Sequence, residues 1–190
     1  MASEVDLCSN SLGQLGEEGI TSLDDATKKA RLCKRFYPDT RDTVLRAYPW
    51  RCATEFQTLA QLSGADAITG SGFSYTYQLP TDPWCLRALL LNNDKSVRWE
   101  VIGRKLCTDE PTVSLRFTRR LTDPGMFDTL LYDAITARLA VKLAYPVTGK
   151  PDLGPVMWKL YELVLEEARA IDSQEGHVDE YQSDDLIDVR

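Results

Sequence analysis

Histidine is nearly absent from this 190-residue chain. The single one, His177, lies in an acidic stretch with no cysteine or histidine beside it, and a lone histidine of this kind rarely serves as a base or a metal ligand. A phosphate-binding loop is also missing, because Gly70, Ser71 and Gly72 precede a strand-like pattern and not a helix. We therefore expect no metal, no cofactor and no enzymatic activity.

A secretion signal and a membrane span are lacking as well. The first six residues are acidic, where a signal peptide needs basic residues followed by an apolar run. The only long apolar stretch, Met126 to Tyr145, contains four charged residues, too many for the interior of a bilayer. We expect a soluble protein that is made in the cytoplasm and does not bind a membrane.

A disulfide framework is not indicated by the cysteines of this chain. The five cysteines are odd in number, lie far apart and fall within apolar patterns, which favours reduced, buried thiols over disulfides or a metal site. They are Cys8, Cys33, Cys52, Cys85 and Cys107.

The net charge of -7 is distributed unevenly. Residues 22–52 contain eight basic and four acidic residues, whereas residues 162–190 contain two basic and ten acidic ones. Two interpretations remain open. The charges either cover ordinary solvated helix faces, or they form complementary patches that meet between subunits and set their orientation.

Residues 22–53 predict the helical segment around which the chain is organised. Ser22 or Asp24 can cap a helix that begins near Leu23. The acidic side chains at this position also interact favourably with the positive end of the helix dipole. Small apolar residues then recur at helical spacing and predict a buried face. The predicted core residues of this region are Ala26, Ala30, Cys33, Tyr37, Leu45 and Trp50.

Prolines divide this region. Pro38 predicts a kink or a fresh helix start, because proline lacks the backbone donor that a helix interior uses. Pro49 is expected to end the helix, and Trp50 to anchor the corner that follows. Apolar residues within 53–62 predict a third amphipathic helical segment.

The remaining periodicity predicts an α+β fold that is mainly α. Residues 4–15 predict a first helix, residues 124–144 a deeply buried helix, and residues 155–171 a last helix with an apolar stripe at Val156, Leu160, Leu163, Val164, Ala168 and Ile171. Strand-like alternation occurs at 73–79, 86–91, 98–106 and 113–121. We predict one domain: N-terminal helices (1–66), an inserted antiparallel sheet of about four strands (67–122), C-terminal helices (123–172) and an extended acidic tail (173–190).

Particular residues argue against other functions. A wall-cleaving hydrolase would need paired carboxylates, and the candidates Glu17, Glu18, Asp24 and Asp25 resemble helix-cap residues more closely. Arg41 and Asp42 are interpreted as a structural ion pair. Trp84 and Trp99 are interpreted as core aromatics, because no basic groove surrounds them in the sequence. A regulator that binds duplex DNA is disfavoured by the overall acidity.

The central segment resembles the signature of the head-to-tail adaptor of short-tailed bacteriophages, the tail tubular protein A family. The similar residues are Ala30-Arg31 with Cys33, Phe36-Tyr37-Pro38, Arg41-Asp42, Val44-Leu45 and Tyr48-Pro49-Trp50, with Tyr48 where the family pattern has a histidine. Upstream the resemblance includes Leu12-Gly13-Gln14-Leu15-Gly16, Ile20 and Ser22-Leu23. Downstream it includes 73–80, Phe127, Leu130 to Ala134, Arg138-Leu139-Ala140, Leu143-Ala144-Tyr145-Pro146, Tyr161, Ala168-Arg169-Ala170 and Asp188-Val189-Arg190. It therefore extends in order over nearly the whole chain.

The resemblance implies a structural protein of the virion, located in the tail connector. Such an adaptor docks on the portal protein after genome packaging and forms a ring, twelvefold in the family, that leads to the tail nozzle; tail fibres are a further candidate partner. Genomic DNA would pass through the channel of this ring without specific binding, because an acidic channel wall repels the DNA phosphates. A head-completion or stopper protein of the same connector is the alternative.

Charged and terminal residues are the candidates for contacts with neighbouring subunits or the portal. They are Arg31, Lys34, Arg35, Arg41, Leu186, Ile187, Val189 and Arg190. The acidic tail is too poor in apolar residues to fold alone, so we expect it to order on binding, with its acids near a basic patch such as Arg31, Lys34 and Arg35.

Overall fold

The structure is a computed structural model, and it describes residues 3–174. The helices in this part are α1 (Glu4–Gly13), α2 (Lys28–Ala47), α3 (Thr129–Thr148) and α4 (Leu153–Gln174). The strands are β1 (Thr54–Thr58), β2 (Gln61–Leu62), β3 (Tyr75–Gln78), β4 (Cys85–Leu91), β5 (Trp99–Ile102), β6 (Lys105–Thr108) and β7 (Ser114–Arg119). The fold is thus α+β with more helix than strand, and the predicted class is confirmed. The predicted tail lies almost entirely outside the described residues, as do His177, Leu186, Ile187, Val189 and Arg190.

The strands form two antiparallel sheets, where the sequence predicted one. The first has the order β1-β7-β4 and the second the order β2-β3-β6-β5. The predicted strand over 98–106 is wrong, because Gly103 adopts a positive φ of 62° and turns that segment into the β5–β6 hairpin. The strands predicted at 86–91 and 113–121 are confirmed as β4 and β7.

The first helix follows its sequence signals. Ser3 caps α1 by accepting a hydrogen bond from the Asp6 amide, and the Asp6 carboxylate bonds back to the Ser3 amide. Leu7, Cys8 and Leu12 are fully buried on its inner face. The prediction of this helix is confirmed, although it ends at Gly13, before the predicted residue 15.

Helix α2 begins later than predicted. Asp25 does not start a helix; its carboxylate accepts hydrogen bonds from the backbone amides of Thr21 and Ser22 and closes a turn. Thr27 caps the helix by accepting a bond of 3.2 Å from the Ala30 amide. Ala26 therefore precedes the helix and is exposed, so its assignment to the core is wrong. Pro38 lies within one continuous helix, so of the two predicted alternatives the fresh start does not occur and the kink stays a prediction.

The third helical segment predicted within residues 1–66 is a strand. Strand β1 pairs with β7, and Thr54 lies opposite Thr118. Ala53 and Leu59 are buried, but Phe56 between them is 60% exposed. The apolar spacing resembled a helix, yet hydrogen bonding to a strand about 60 residues later decided the conformation.

The helices pack around α3, which contacts α1, α2 and α4. Its buried side chains cover much of its circumference, as the sequence predicted for the most buried helix: they include Leu131, Ala134, Ile135, Leu139, Ala140 and Leu143. A second hydrophobic cluster lies between the sheets, around Tyr77, Leu106 and Phe117. Over residues 3–174, no helix is both long enough and apolar enough to cross a membrane.

The buried stripe of α4 differs from the predicted one. Met157, Tyr161, Leu165 and Ala168 face the core. Of the predicted stripe, Ala168 is buried, but Val156 is 55% and Leu163 is 64% exposed. The helix is apolar on more than one side, so periodicity alone did not identify which side faces α3.

Candidate functional site

The predicted core residues other than Ala26 are buried: Ala30, Cys33, Tyr37, Leu45 and Trp50. Trp50 is 1% exposed, and its Nε1 donates a hydrogen bond of 3.0 Å to the Val44 carbonyl. Cys33 pairs with Cys8 of α1. The hydrogen bond between the two thiols, and then burial, raises the pKa of Cys8, while the same bond lowers the pKa of Cys33. These residues serve packing, and neither thiol is accessible to a substrate.

The predicted basic contact residues do not all lie on the surface. Arg31, Lys34 and Arg35 are exposed on α2, and Lys34 forms an ion pair of 2.6 Å with Asp24. Arg41, by contrast, is only 7% exposed and donates to Asp42 at 2.9 Å. The structural ion pair predicted for Arg41 and Asp42 is confirmed, and for that reason Arg41 is not available for contacts with another chain.

Three of the four carboxylates considered for a hydrolase, those of Glu17, Asp24 and Asp25, are engaged in local interactions. Glu17 pairs with Lys29 at 2.8 Å. Hydrogen bonds from the Ser22 backbone, and then from Thr21, lower the pKa of Asp25, which is opposite to the raised pKa that a general acid requires. Residues 3–174 also contain no group of three histidine, cysteine or acidic side chains placed to hold a metal ion.

An arginine-rich cleft instead surrounds the two tryptophans that the sequence assigned to the core. The cleft has a volume of about 400 Å³ and is lined by Arg46, Arg87, Arg104, Trp84 and Trp99, with apolar side chains between them. Arg46 lies at the end of α2, Arg87 in β4, and Arg104 in the turn of the β5–β6 hairpin. Trp84 is 38% exposed, so its interpretation as a core aromatic is wrong, whereas Trp99 packs against the second hydrophobic cluster. We call this site the Arg/Trp cleft.

Arg104 is fixed in place by the structure around it. Its Nη1 donates to the Cys85 carbonyl at 2.7 Å, and its Nη2 donates to the Pro80 carbonyl at 2.6 Å. Its guanidinium carbon lies 4.0 Å from the centroid of the Trp84 ring. Arg120 also lies over that ring, at 5.4 Å. Two guanidinium groups thus cover Trp84, which supplies a cation–π interaction to each.

Arg46 and Arg87 join α2 to β4 and remain exposed. Arg46 Nη1 donates to the Leu86 carbonyl, and Arg87 Nη1 donates to the Arg46 carbonyl at 3.4 Å. Each of these bonds uses one of the five N–H groups that a guanidinium carries. The remaining donors are suited to a carboxylate or a phosphate, because a planar guanidinium binds such anions in a bidentate manner.

The described residues that line the cleft include no carboxylate. Asp42 lies in the same region, but its two oxygens are bound by Arg41 and Arg120. Glu100 lies between Trp99 and Val101 in β5, and the alternation of side chains along a strand directs it to the opposite face. The cleft is consequently a site of uncompensated positive charge.

Sequence reasoning missed the cleft because its arginines are distant along the chain. Arg46, Arg87 and Arg104 come from a helix end, a strand and a hairpin turn. The two tryptophans, Trp84 just before β4 and Trp99 at the start of β5, were the only local signal, and they do not by themselves indicate a basic site.

Comparison with known proteins gave no match: no protein-family model fits the sequence, and no curated protein is significantly similar to it.

Proposed function

We propose that this chain is the head-to-tail adaptor of a short-tailed bacteriophage, a structural protein that forms a ring between the portal and the tail nozzle. The observation that carries the proposal is the ordered resemblance along the sequence, from Leu12 through the Phe36-Tyr37-Pro38 segment to Arg190. A single short motif would carry little weight. A succession of them in the same order over nearly the whole chain carries much more.

Exposed apolar side chains on α4 support assembly with other copies. Val156 and Leu163 are seven residues apart, which places them on the same side of the helix. Tyr145, at the end of α3, is also largely exposed. Burying these residues against a neighbouring copy would remove apolar surface from water, as subunit interfaces commonly do.

The exposed charges are compatible with a ring as well. Arg31 and Arg35 give α2 an exposed basic face, and Glu162, Glu166 and Glu167 are exposed on α4. In a ring each copy presents one face to the next copy and receives a different face in return. Opposite charges on the two faces would then set the orientation of neighbouring subunits.

Mixing the purified chain with the portal protein of the same virus tests the proposal. Light scattering after size exclusion should show one complex in which each portal carries a ring of the 21.4 kDa chain. The family resemblance implies twelve copies of the chain in that ring. Adding the nozzle protein should extend that complex. A complex that binds the portal but does not accept the nozzle would support the stopper alternative, and failure to bind the portal would refute the adaptor.

A matched pair of variants tests the role of α4. Leu163→Ser removes an exposed apolar side chain and should weaken ring formation. Lys95→Ser changes an exposed residue between β4 and β5, away from α4, and should leave it unchanged. Equal behaviour of both variants would show that the apolar side of α4 is not a subunit contact.

A further inference from the structure

The last described helix, α4, contacts the chain segment that contributes Arg46 to the Arg/Trp cleft. The guanidinium carbon of Arg169, in the last part of α4, is 5.9 Å from the centroid of the Tyr48 ring. Tyr48 follows Arg46, which lines the cleft, by two residues. Gln174 is five residues beyond Arg169, a rise of about 8 Å along a helix. Sixteen residues follow Gln174, and an extended segment of that length could span about 50 Å, which is enough to bring residues 184–189 to the cleft.

The chemistry of the cleft defines the kind of ligand it takes. Arg46 and Arg87 offer uncompensated positive charge, and the apolar side chains of Leu79 and Val101 lie among the lining residues. A suitable ligand carries carboxylates beside apolar groups. A nucleotide base is less suitable, because the Trp84 ring on which it could stack is already covered by two guanidinium groups.

The end of this chain has that composition. Residues 175–190 contain six acidic residues and one basic residue. Within them, Asp184-Asp185-Leu186-Ile187-Asp188-Val189 combines three carboxylates with three apolar side chains. Acidic charge on the segment and basic charge in the cleft are complementary.

We propose that the Arg/Trp cleft binds the acidic segment Asp184–Val189 of its own chain. The occupant belongs to the same chain because covalent connection near the cleft gives the segment a high effective concentration there. The proposal goes beyond the adaptor function and does not depend on it. It also places the acidic tail in the cleft and not on the exposed face of α2 around Arg31 and Lys34.

Photo-crosslinking in the full-length chain tests this contact. Ile187 is replaced by p-benzoylphenylalanine, and an equimolar mixture of nitrogen-15-labelled and unlabelled chains is irradiated, digested and analysed by mass spectrometry. The expected adducts join the tail to peptides that contain residues 84–88 or 99–104, and both halves of each adduct carry the same isotope. Adducts of mixed isotope composition would show that the segment comes from a second copy, and they would overturn the proposal.

Charge variants show whether the contact depends on the cleft. Arg87→Gln should lower the yield of cleft adducts about threefold, the effect of losing one exposed ion pair. Arg31→Gln, a matched change on the exposed face of α2, should leave the yield unchanged. Replacing Asp184, Asp185 and Asp188 by Asn leaves the described fold untouched and should nearly abolish the adducts.

Other outcomes would overturn the proposal. Adducts mainly on residues 28–35 would place the tail on α2. Absence of cleft adducts in the parent chain, or a yield that is insensitive to both sets of charge variants, would show that the cleft does not bind this segment.

Discussion

Replacing Trp50 tests the packing that holds the end of α2. The ring is 1% exposed, and Tyr48 packs edge-on against it with a centroid separation of 5.3 Å. Its Nε1 donates to the carbonyl of Val44, in the last turn of α2, where carbonyls have no partner within the helix. Trp50 therefore contributes both apolar burial and a side-chain cap.

The two contributions can be estimated separately. Trp50→Ala removes roughly 150 Å² of buried ring surface, worth about 4 kcal/mol at about 25 cal/mol per Å². This agrees with the roughly 3 to 5 kcal/mol that truncation of a buried tryptophan costs. Trp50→Phe keeps most of the apolar surface but leaves the Val44 carbonyl without its donor, a loss of about 1 to 2 kcal/mol. The order of stability should be the parent chain, then Trp50→Phe, then Trp50→Ala.

Urea unfolding followed by circular dichroism measures these differences, since fluorescence would change with the tryptophan itself. Phe56→Ala is the control: this aromatic side chain is 60% exposed, so its loss should change the free energy of unfolding by only about 0.5 kcal/mol. The reasoning would be refuted if Trp50→Ala were as stable as the control. Equal losses from Trp50→Phe and Trp50→Ala would refute the separate roles of ring and cap.

Four further predictions concern the ion-pair network, the thiols, one raised pKa and DNA. Asp42→Ala leaves the buried Arg41 without its carboxylate and should lower the free energy of unfolding by about 3 kcal/mol, measured in urea. Alkylation of the native protein should label only Cys52, because the other four thiols are almost fully buried, and mass spectrometry of the digest identifies the site. Partial desolvation, and then the Glu167 carboxylate, raises the pKa of Asp133 above its ordinary value of 3.8, although its side chain remains exposed to solvent. A carboxyl group of this kind stabilises the fold below its ordinary pKa and loses that contribution as the pH rises through the raised pKa. Asp133→Asn should therefore raise the melting temperature at neutral pH and leave it unchanged in strong acid. At physiological salt the free chain should not shift duplex DNA at sub-micromolar concentration in a gel, because its net charge is -7.

Local signals in the sequence determined several elements. The capping box at Ser3 and Asp6 and the apolar face of α1 are set by residues three or four positions apart, so the sequence predicts that helix directly. Strand β4 and the deeply buried α3 follow in the same way from continuous apolar patterns. The corner at Trp50 was also foreseeable, because Pro49 follows the end of the apolar helical pattern, although proline is not a certain stop, as Pro38 inside α2 shows.

Only the tertiary structure decided the features that depend on distant residues. The segment after Trp50 could form a helix or a strand by its own spacing, and pairing with β7 selected the strand. The start of α2 depended on which hydrogen bonds the Asp25 carboxylate makes. The Arg/Trp cleft joins a helix end, a strand and a hairpin turn, and no local pattern relates Arg46, Arg87 and Arg104. Sequence periodicity reports which residues share a face of one element, but a site built from several elements exists only after packing has brought those elements together.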